Sequence, residues 1–246
     1  MTILDDLLPT LPEAPVREVL VGLHWTVVCS RGCGLASTLP ASGPHGEAGV
    51  RDVGRLHRRS GRELAEYARS SDPVEAGIGV AAINSLLDVD EARAVEVSAA
   101  RVLAERGRGR DVALVGHFPF VPRLREEVGR LWVIEKCPAE GDFPESAAAD
   151  LIPRAEVVAL TGSALVNGTL DGLLALCRPE ALVMVLGPST PLSPVLFDHG
   201  ANLLSGVRVL DEAAVLRTVA QGASFRQVEG VRLLTIERPR GEITKR

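Results

Sequence analysis

Asp111-Val112-Ala113-Leu114-Val115 runs straight into Gly116, and the same design recurs down the chain. Leu131 to Ile134 ends in Glu135, Glu156 to Leu160 in Thr161-Gly162, Ala181 to Leu186 in Gly187-Pro188, and Val207 to Leu210 in Asp211. Each run is too short for a helix and apolar at nearly every position, so it reads as a strand buried on both faces. A helical stretch can follow each one. Short apolar strands alternating with helices predict a doubly wound, Rossmann-like parallel sheet over residues 110–238, with an extra strand at Arg232 to Ile236. In such sheets ligands bind outside the carboxyl ends of the strands. Those ends hold the Gly, Thr, Ser, His and Glu residues of interest.

Upstream of the break Arg106-Gly107-Arg108-Gly109-Arg110 the order of elements changes. Val16 to Ser30 reads as one strand, with Gly34 to Thr38 as the second arm of a hairpin. Pro40 to Gly54 is a polar loop rich in Pro and Gly. Ser60 stands three residues before Glu63, the spacing of a capping box. Asp72-Pro73 opens a helix through Ile78, Ala81, Ala82 and Leu86, and another is expected from Glu91 to Glu105. The expectation is an α/β chain: a small N-terminal α+β domain over 1–108 and the Rossmann-like domain over 109–246.

Composition narrows the function. Of 246 residues, 46% are apolar and 24% charged, which excludes a disordered or fibrous chain. A net charge of −5 and 3% aromatic residues leave neither a basic footprint nor stacking platforms for nucleic acid. No apolar stretch reaches the ~20 residues needed to span a bilayer. The start, Met1-Thr2-Ile3-Leu4-Asp5-Asp6, has no basic and apolar signal regions. A cytoplasmic chain with Cys29, Cys33, Cys137 and Cys177 reduced, and so no Cys29–Cys33 disulfide, is therefore expected.

The turn after the first strand is Gly116-His117-Phe118-Pro119-Phe120 where a dinucleotide fold would place Gly-x-Gly-x-x-Gly. Its side chains would keep a pyrophosphate off the backbone. His117 is either a ligand contact or a packing residue. Glu135 lies 19 residues after Gly116, where nucleotide-binding folds put the ribose-binding acid, or it is a solvated acid at the crevice edge. Asp142 either ligates a metal or caps a helix starting at Pro144. Ser163 reads as an N-cap with Asn167 on the same helix face, and Asn167-Gly168 inside a helix would cost ~1 kcal/mol against alanine. Thr161, Gly162, Ser163, Asn167 and Thr169 would thus direct polar groups at an anion. Gly187-Pro188-Ser189-Thr190-Pro191 is a stiff, hydroxyl-bearing turn. Cys29-x-x-x-Cys33 has no second cysteine pair to close a zinc site, so one buried and one loop thiol is the plain reading. His24, His45 and His57 follow no ligand spacing. No nucleophile elbow, Walker loop or His-Glu-x-x-His occurs.

Several phrases together resemble a known family: Cys33-Gly34-Leu35-Ala36, Gly79-Val80-Ala81-Ala82-Ile83-Asn84, Val115 to Pro119, Thr161 to Thr169, and Leu186 to Pro191. In this order, over roughly residues 10–235, they resemble the two-domain prokaryotic family of putative heavy-metal chelation proteins. The resemblance implies an N-terminal domain similar to the enolase N-terminal fold, a Rossmann-like partner, and a site where the two meet. The candidate ligand-binding set is then Asn84, Gly116, His117, Phe118, Thr161, Gly162, Ser163, Asn167, Thr169, Gly187, Pro188, Ser189 and Thr190. The candidate metal set is His117, Glu135, Asp142 and Cys33, suited to a borderline divalent metal ion. The ligand expected is a small molecule or metal chelate, with a homo-oligomer as a further partner. The alternatives are an enzyme using a nucleoside cofactor such as S-adenosylmethionine, with Glu135 on the ribose, and a partner module without catalysis.

Overall fold

The computed structural model describes residues 1–40 and 49–239. Most of the Pro40–Gly54 loop, including His45, lies outside the described residues. The N-terminal unit holds an antiparallel meander of β1 (Glu18–Val21), β2 (Trp25–Cys29) and β3 (Cys33–Ser37). The single strand expected from Val16 to Ser30 is in fact two. A turn closed by Gly22 N–H donating to Trp25 O at 2.9 Å folds it back, so that Val21 faces Thr26.

Cys29 and Cys33 are joined in a disulfide, which corrects the expectation of free thiols. The cause is register: the β2–β3 hairpin sets the two residues directly opposite each other, with Cα atoms 4.1 Å apart. Compartment arguments see only the start of the chain, not this pairing.

The capping box forms as read, with Glu63 N donating to Ser60 Oγ and Ser60 N to the Glu63 carboxylate. Asp72 caps the helix Pro73–Leu86 by accepting from Val74 N and Glu75 N. That helix is buried on nearly every side, as expected of a helix apolar all round. The helix expected from Glu91 to Glu105 begins later. Glu91–Arg93 is a 3₁₀ turn, Ala94–Val95 forms a short strand β4, and Ser98 caps the helix Ala99–Gly107. The Val95-Glu96-Val97 stretch favours extended backbone, and Val97 O accepts from Thr235 Oγ1.

The large sheet adds β5 (Asp111–Val115), β6 (Arg130–Glu135), β7 (Phe143–Pro144), β8 (Val157–Thr161), β9 (Leu182–Leu186), β10 (Leu203–Val209) and β11 (Val231–Glu237). Its order is β4-β11-β10-β9-β8-β5-β6-β7. From β7 to β10 every pairing is parallel, while β11 pairs antiparallel with β10 and β4. The chain is thus a mixed α/β protein with a small antiparallel sheet and a mostly parallel one. The winding reverses between β5 and β8, which makes their carboxyl ends the topological switch point. Expectation missed β7, having begun a helix at Pro144, and started β10 late. Ser205-Gly206 interrupts its apolar run, yet Ser205 Oγ and Thr235 Oγ1 satisfy each other at 2.5 Å between β10 and β11.

Alternation explains the apolar strands. Val112, Leu114, Val133, Val157, Ala159 and Met184 face one core, covered by the Ala99–Gly107 and Val121–Glu127 helices. Ala113, Ile134, Val158, Leu160 and Val185 face another. That second core is continuous with Ile3, Leu7, Leu64, Ile78 and Ile83 of the N-terminal unit. No helix among the described residues is long and apolar enough to cross a membrane.

Candidate functional site

A cavity of about 1100 Å³ opens at the carboxyl ends of β5, β6 and β8. Gly116, Glu135 and Thr161 come from those strand ends, and Ser163, Asn167 and Thr169 follow from the segment after β8. Leu4, Leu39, Arg69, Ser70 and Asp72 supply the opposite wall, from the N-terminal unit. Lys136, Cys137 and Glu145 complete the lining beyond β6.

The segment after β8 departs from its expected geometry. Its helix is only Ser163–Val166, Gly162 occupies the N-cap, and no side chain caps it. Ser163 is instead the first helical residue, with Oγ 2.9 Å from Thr161 Oγ1. Asn167 is the C-cap, not an interior residue. Thr169 N reaches back to Ala164 O at 2.8 Å and Gly168 N to Leu165 O at 3.3 Å, a Schellman ending. Gly168 has φ +73°, the left-handed conformation that glycine adopts freely, so the expected helix-interior cost does not arise. Asn167 Oδ1 accepts from Thr169 N and Oγ1. Its amide nitrogen bonds no described residue. A helix of four residues carries little macrodipole, and the charged lining is mixed: Arg69 and Lys136 stand with Asp72, Glu135, Glu145 and Asp171, Arg69 pairing with Asp5 and Glu66 and Lys136 with Glu145.

Phe118 is not among the lining residues but packs beside the Gly116 end of the cavity. Gly116 (φ +106°) and Gly187 (φ +110°) end β5 and β9 with bare backbone, as a phosphate cradle would require. The Phe118 ring lies against both. A Cβ on Gly116 would sit 3.0 Å from its Cε2, and one on Gly187 would sit 3.9 Å from its Cε1. Phe120 stacks on that ring at 5.1 Å. The aromatic pair belongs to the turn after β5, the turn on which dinucleotide-binding folds rest the pyrophosphate.

Two family models match the sequence, over residues 4–87 and 98–237, and both carry the description "Putative heavy-metal chelation". The second spans more than half of the chain. The chain belongs to the DUF364 family. A crystal structure of a DUF364 protein of unknown function from Desulfitobacterium hafniense superposes with a TM-score of 0.84 at 31% identity, covering 96% of this chain and 98% of that one. A DUF364 protein from Pyrococcus horikoshii superposes at 0.79 with 23% identity, over the same 96% and 98%, and shares the fold. An uncharacterised protein of Methanocaldococcus jannaschii is 29% identical over 156 residues, 61% of this chain and 60% of that relative. The family description gives this DUF364 chain a coarse metal-binding role.

Metal donors are not gathered where they were expected. His117 Nδ1 lies 2.7 Å from Asp142 Oδ2, but the fully buried Asp142 side chain is also held by Arg125 and by Ala139 N. Asp142 therefore caps no helix at Pro144, since β7 starts there, and its oxygens are already engaged. Glu135 lines the cavity, whereas His117 and Asp142 do not. Cys33 is tied to Cys29, packed towards the helix Glu212–Ala220. Among the described residues, one group of three ligand atoms converges, that of Cys29, Cys33 and Glu212.

Other candidates lie outside the cavity lining in this DUF364 fold. Ser189 is 1% exposed, and its Oγ accepts from Ser37 N at 2.8 Å and meets Ser37 Oγ at 3.0 Å, clipping β3 to the turn after β9. Thr190 is buried behind it, with Oγ1 unpartnered among the described residues. Asn84 donates to Leu35 O from the Pro73–Leu86 helix and does not line the cavity. Gly162, Gly187 and Pro188 also lie outside its lining.

Sequence reasoning passed over Lys136, Cys137 and Arg69 to Asp72. Lys136 had a signal, being one of only two lysines. The N-terminal wall is held from beneath. Glu75, 4% exposed, takes bonds from Arg51 Nε and N–H and from Ser70 Oγ, and Ser70 Oγ in turn accepts from Asp72 N. Burial alone would raise the Glu75 carboxyl, but these donors outweigh it and hold it below its ordinary range. The Arg51 guanidinium also lies 4.4 Å over the Tyr67 ring.

Proposed function

We propose that the cavity between the two units binds a small anionic molecule or a metal already carried by a small chelating ligand. The observation that carries this reading is the Phe118 ring across Gly116 and Gly187, beside a cavity lined by Thr161, Ser163, Asn167 and Thr169. The ring disfavours an intact dinucleotide, and a lining that mixes hydroxyl and amide groups, Lys136 and Arg69 with the carboxylates of Asp72, Glu135, Glu145 and Asp171 suits a ligand that carries both carboxylates and a cation. No three donor atoms of the cavity converge among the described residues, so a bare ion would find no cage there. A chelate brings most of its own ligands and needs only one or two more, which Glu135 and Cys137 are placed to offer.

A second reading, an enzyme using a nucleoside cofactor, is favoured by one fact. Glu135 stands at the carboxyl end of β6, the position of a ribose-binding acid. Calorimetric titration separates the two, with Ni²⁺ or Zn²⁺ alone, the same ions with citrate, NAD and S-adenosylmethionine. The metal–citrate complex should bind, and Thr161→Ala and Asn167→Ala should weaken it while costing only ~0.5–3 kcal/mol of stability. Micromolar binding of NAD to metal-free protein, abolished by Glu135→Ala, overturns the proposal. So does failure of either variant to fold, which would make that residue structural.

A further inference from the structure

We propose that Cys29, Cys33 and Glu212 form a second site, a redox-gated one for a thiophilic divalent cation such as Zn²⁺ or Cd²⁺. It is independent of the cavity reading.

The placement is set by three elements. β2 and β3 present the two cysteines as an opposed pair at the closed end of their hairpin. The helix Glu212–Ala220 packs its Val215 and Val219 against Val27, Cys29 and Leu35, which brings Glu212, its first residue, over the pair. One ligand atom from each of Cys29, Cys33 and Glu212 then lies within 4.8 Å of the other two. Tetrahedral zinc thiolate sites need sulfurs about 3.8 Å apart, given Zn–S bonds of ~2.3 Å, so a small separation of the opened pair suffices. Cys29 is buried while Cys33 is half-buried and Glu212 exposed, which leaves an approach for the ion from solvent. Arg17 pairs with Glu212 and donates its backbone N–H to Cys29 O.

The disulfide is the closed state. A dithiol reductant delivers two electrons to the Cys29–Cys33 bond, which breaks. The two sulfurs take up two protons, and the reductant is left as its own disulfide. On binding, the two thiols release two protons, two metal–sulfur bonds form, a Glu212 oxygen supplies the third ligand and water the fourth. The bond spans only the Ser30-Arg31-Gly32 turn, and the ladder from Trp25↔Ser37 to Val28↔Gly34 holds the hairpin without it. Opening therefore leaves the fold in place.

The test uses the full chain carrying Cys137→Ser and Cys177→Ser, reduced with a phosphine that is then removed, and titrated with Cd²⁺ without oxygen. Thiolate ligation is read from the sulfur-to-cadmium charge-transfer absorption, and affinity from competition with a coloured chelator. One Cd²⁺ per chain is expected after reduction and none before it. Cys33→Ser should weaken binding by roughly 100-fold or more, beyond what outer-shell partners cost. Glu212→Gln should weaken it about tenfold with the absorption retained. Glu135→Ala should leave it unchanged, which separates this site from the cavity. Equal binding before and after reduction, or full affinity in Cys33→Ser or Glu212→Gln, overturns the proposal. So does a pair that cannot be reduced without unfolding the chain.

Discussion

Replacing Arg51 by methionine tests the support of the cavity wall. The change keeps much of the apolar stem over Tyr67 and removes the guanidinium from Glu75. Removing one partner of a buried ion pair costs about 3–5 kcal/mol. Here the Arg51 side chain is 60% exposed against 5% for Glu75, so water from the Arg51 side offsets part of the loss. Ser70 Oγ and the Arg51 backbone N–H also stay on the carboxylate. We expect about 2 kcal/mol near neutral pH, or roughly 4–8 °C in Tm for a chain of this size. The pH dependence carries the sign. In the native protein Glu75 is held below its ordinary value of 4.5, so its stabilisation is complete above that value and lost as pH falls below it. In the variant, burial outweighs the remaining donors and the carboxyl rises instead. Its penalty is then full at high pH and disappears as pH falls through the raised pKa. Thermal unfolding of both proteins at about pH 8 and pH 5 should show a gap that narrows toward acid. A gap equal at both pH values, or below roughly 0.5 kcal/mol, refutes the reasoning.

Ser189→Ala removes the bonds to Ser37 and leaves the Ser37 N–H without its partner, which should cost about 1–3 kcal/mol in urea denaturation. No measurable change would show that Ser189 is not a clip between the units. Alkylation of the native, unreduced protein near pH 8 should label Cys137 quickly and Cys177 slowly. Cys137 is exposed, while burial pushes the Cys177 thiol up to about 12. Two fast thiols, or four, would contradict the burial or the disulfide.

The large sheet was legible because its signal is local. A run such as Val112 to Leu114 must be apolar on both faces, and the bare turn at Gly116 marks its end. The Ser60 and Asp72 caps were legible for the same reason, since a cap and the N–H groups that donate to it lie within three residues. What failed depended on pairings that spacing alone does not state, near or far in the chain. Nothing near Cys29 announces that β2 and β3 register it against Cys33. Ser189 reads as a ligand-facing hydroxyl until Ser37 arrives from 152 positions away. Ser163 and Asn167 misled by a different route: one turn of helix ends in a Schellman motif, where asparagine and glycine are the usual residues. Of the cavity, the strand-end residues Gly116, Glu135 and Thr161 were foreseen from topology, along with Ser163, Asn167 and Thr169. The opposite wall at Arg69 to Asp72 comes from a unit whose placement no local pattern encodes.

The apolar body that joins Ile78 and Ile83 to Leu160, Val166 and Val185 runs beneath both walls of the cavity. Two sequence families therefore meet here as one mechanical object. A clamshell motion would have to pull that body apart and expose its apolar side chains to water, which opposes any swing of the walls. For the ligand proposed above, binding without such a swing would be a matter of fit and of shedding hydration, and residence time would follow from the contacts made inside.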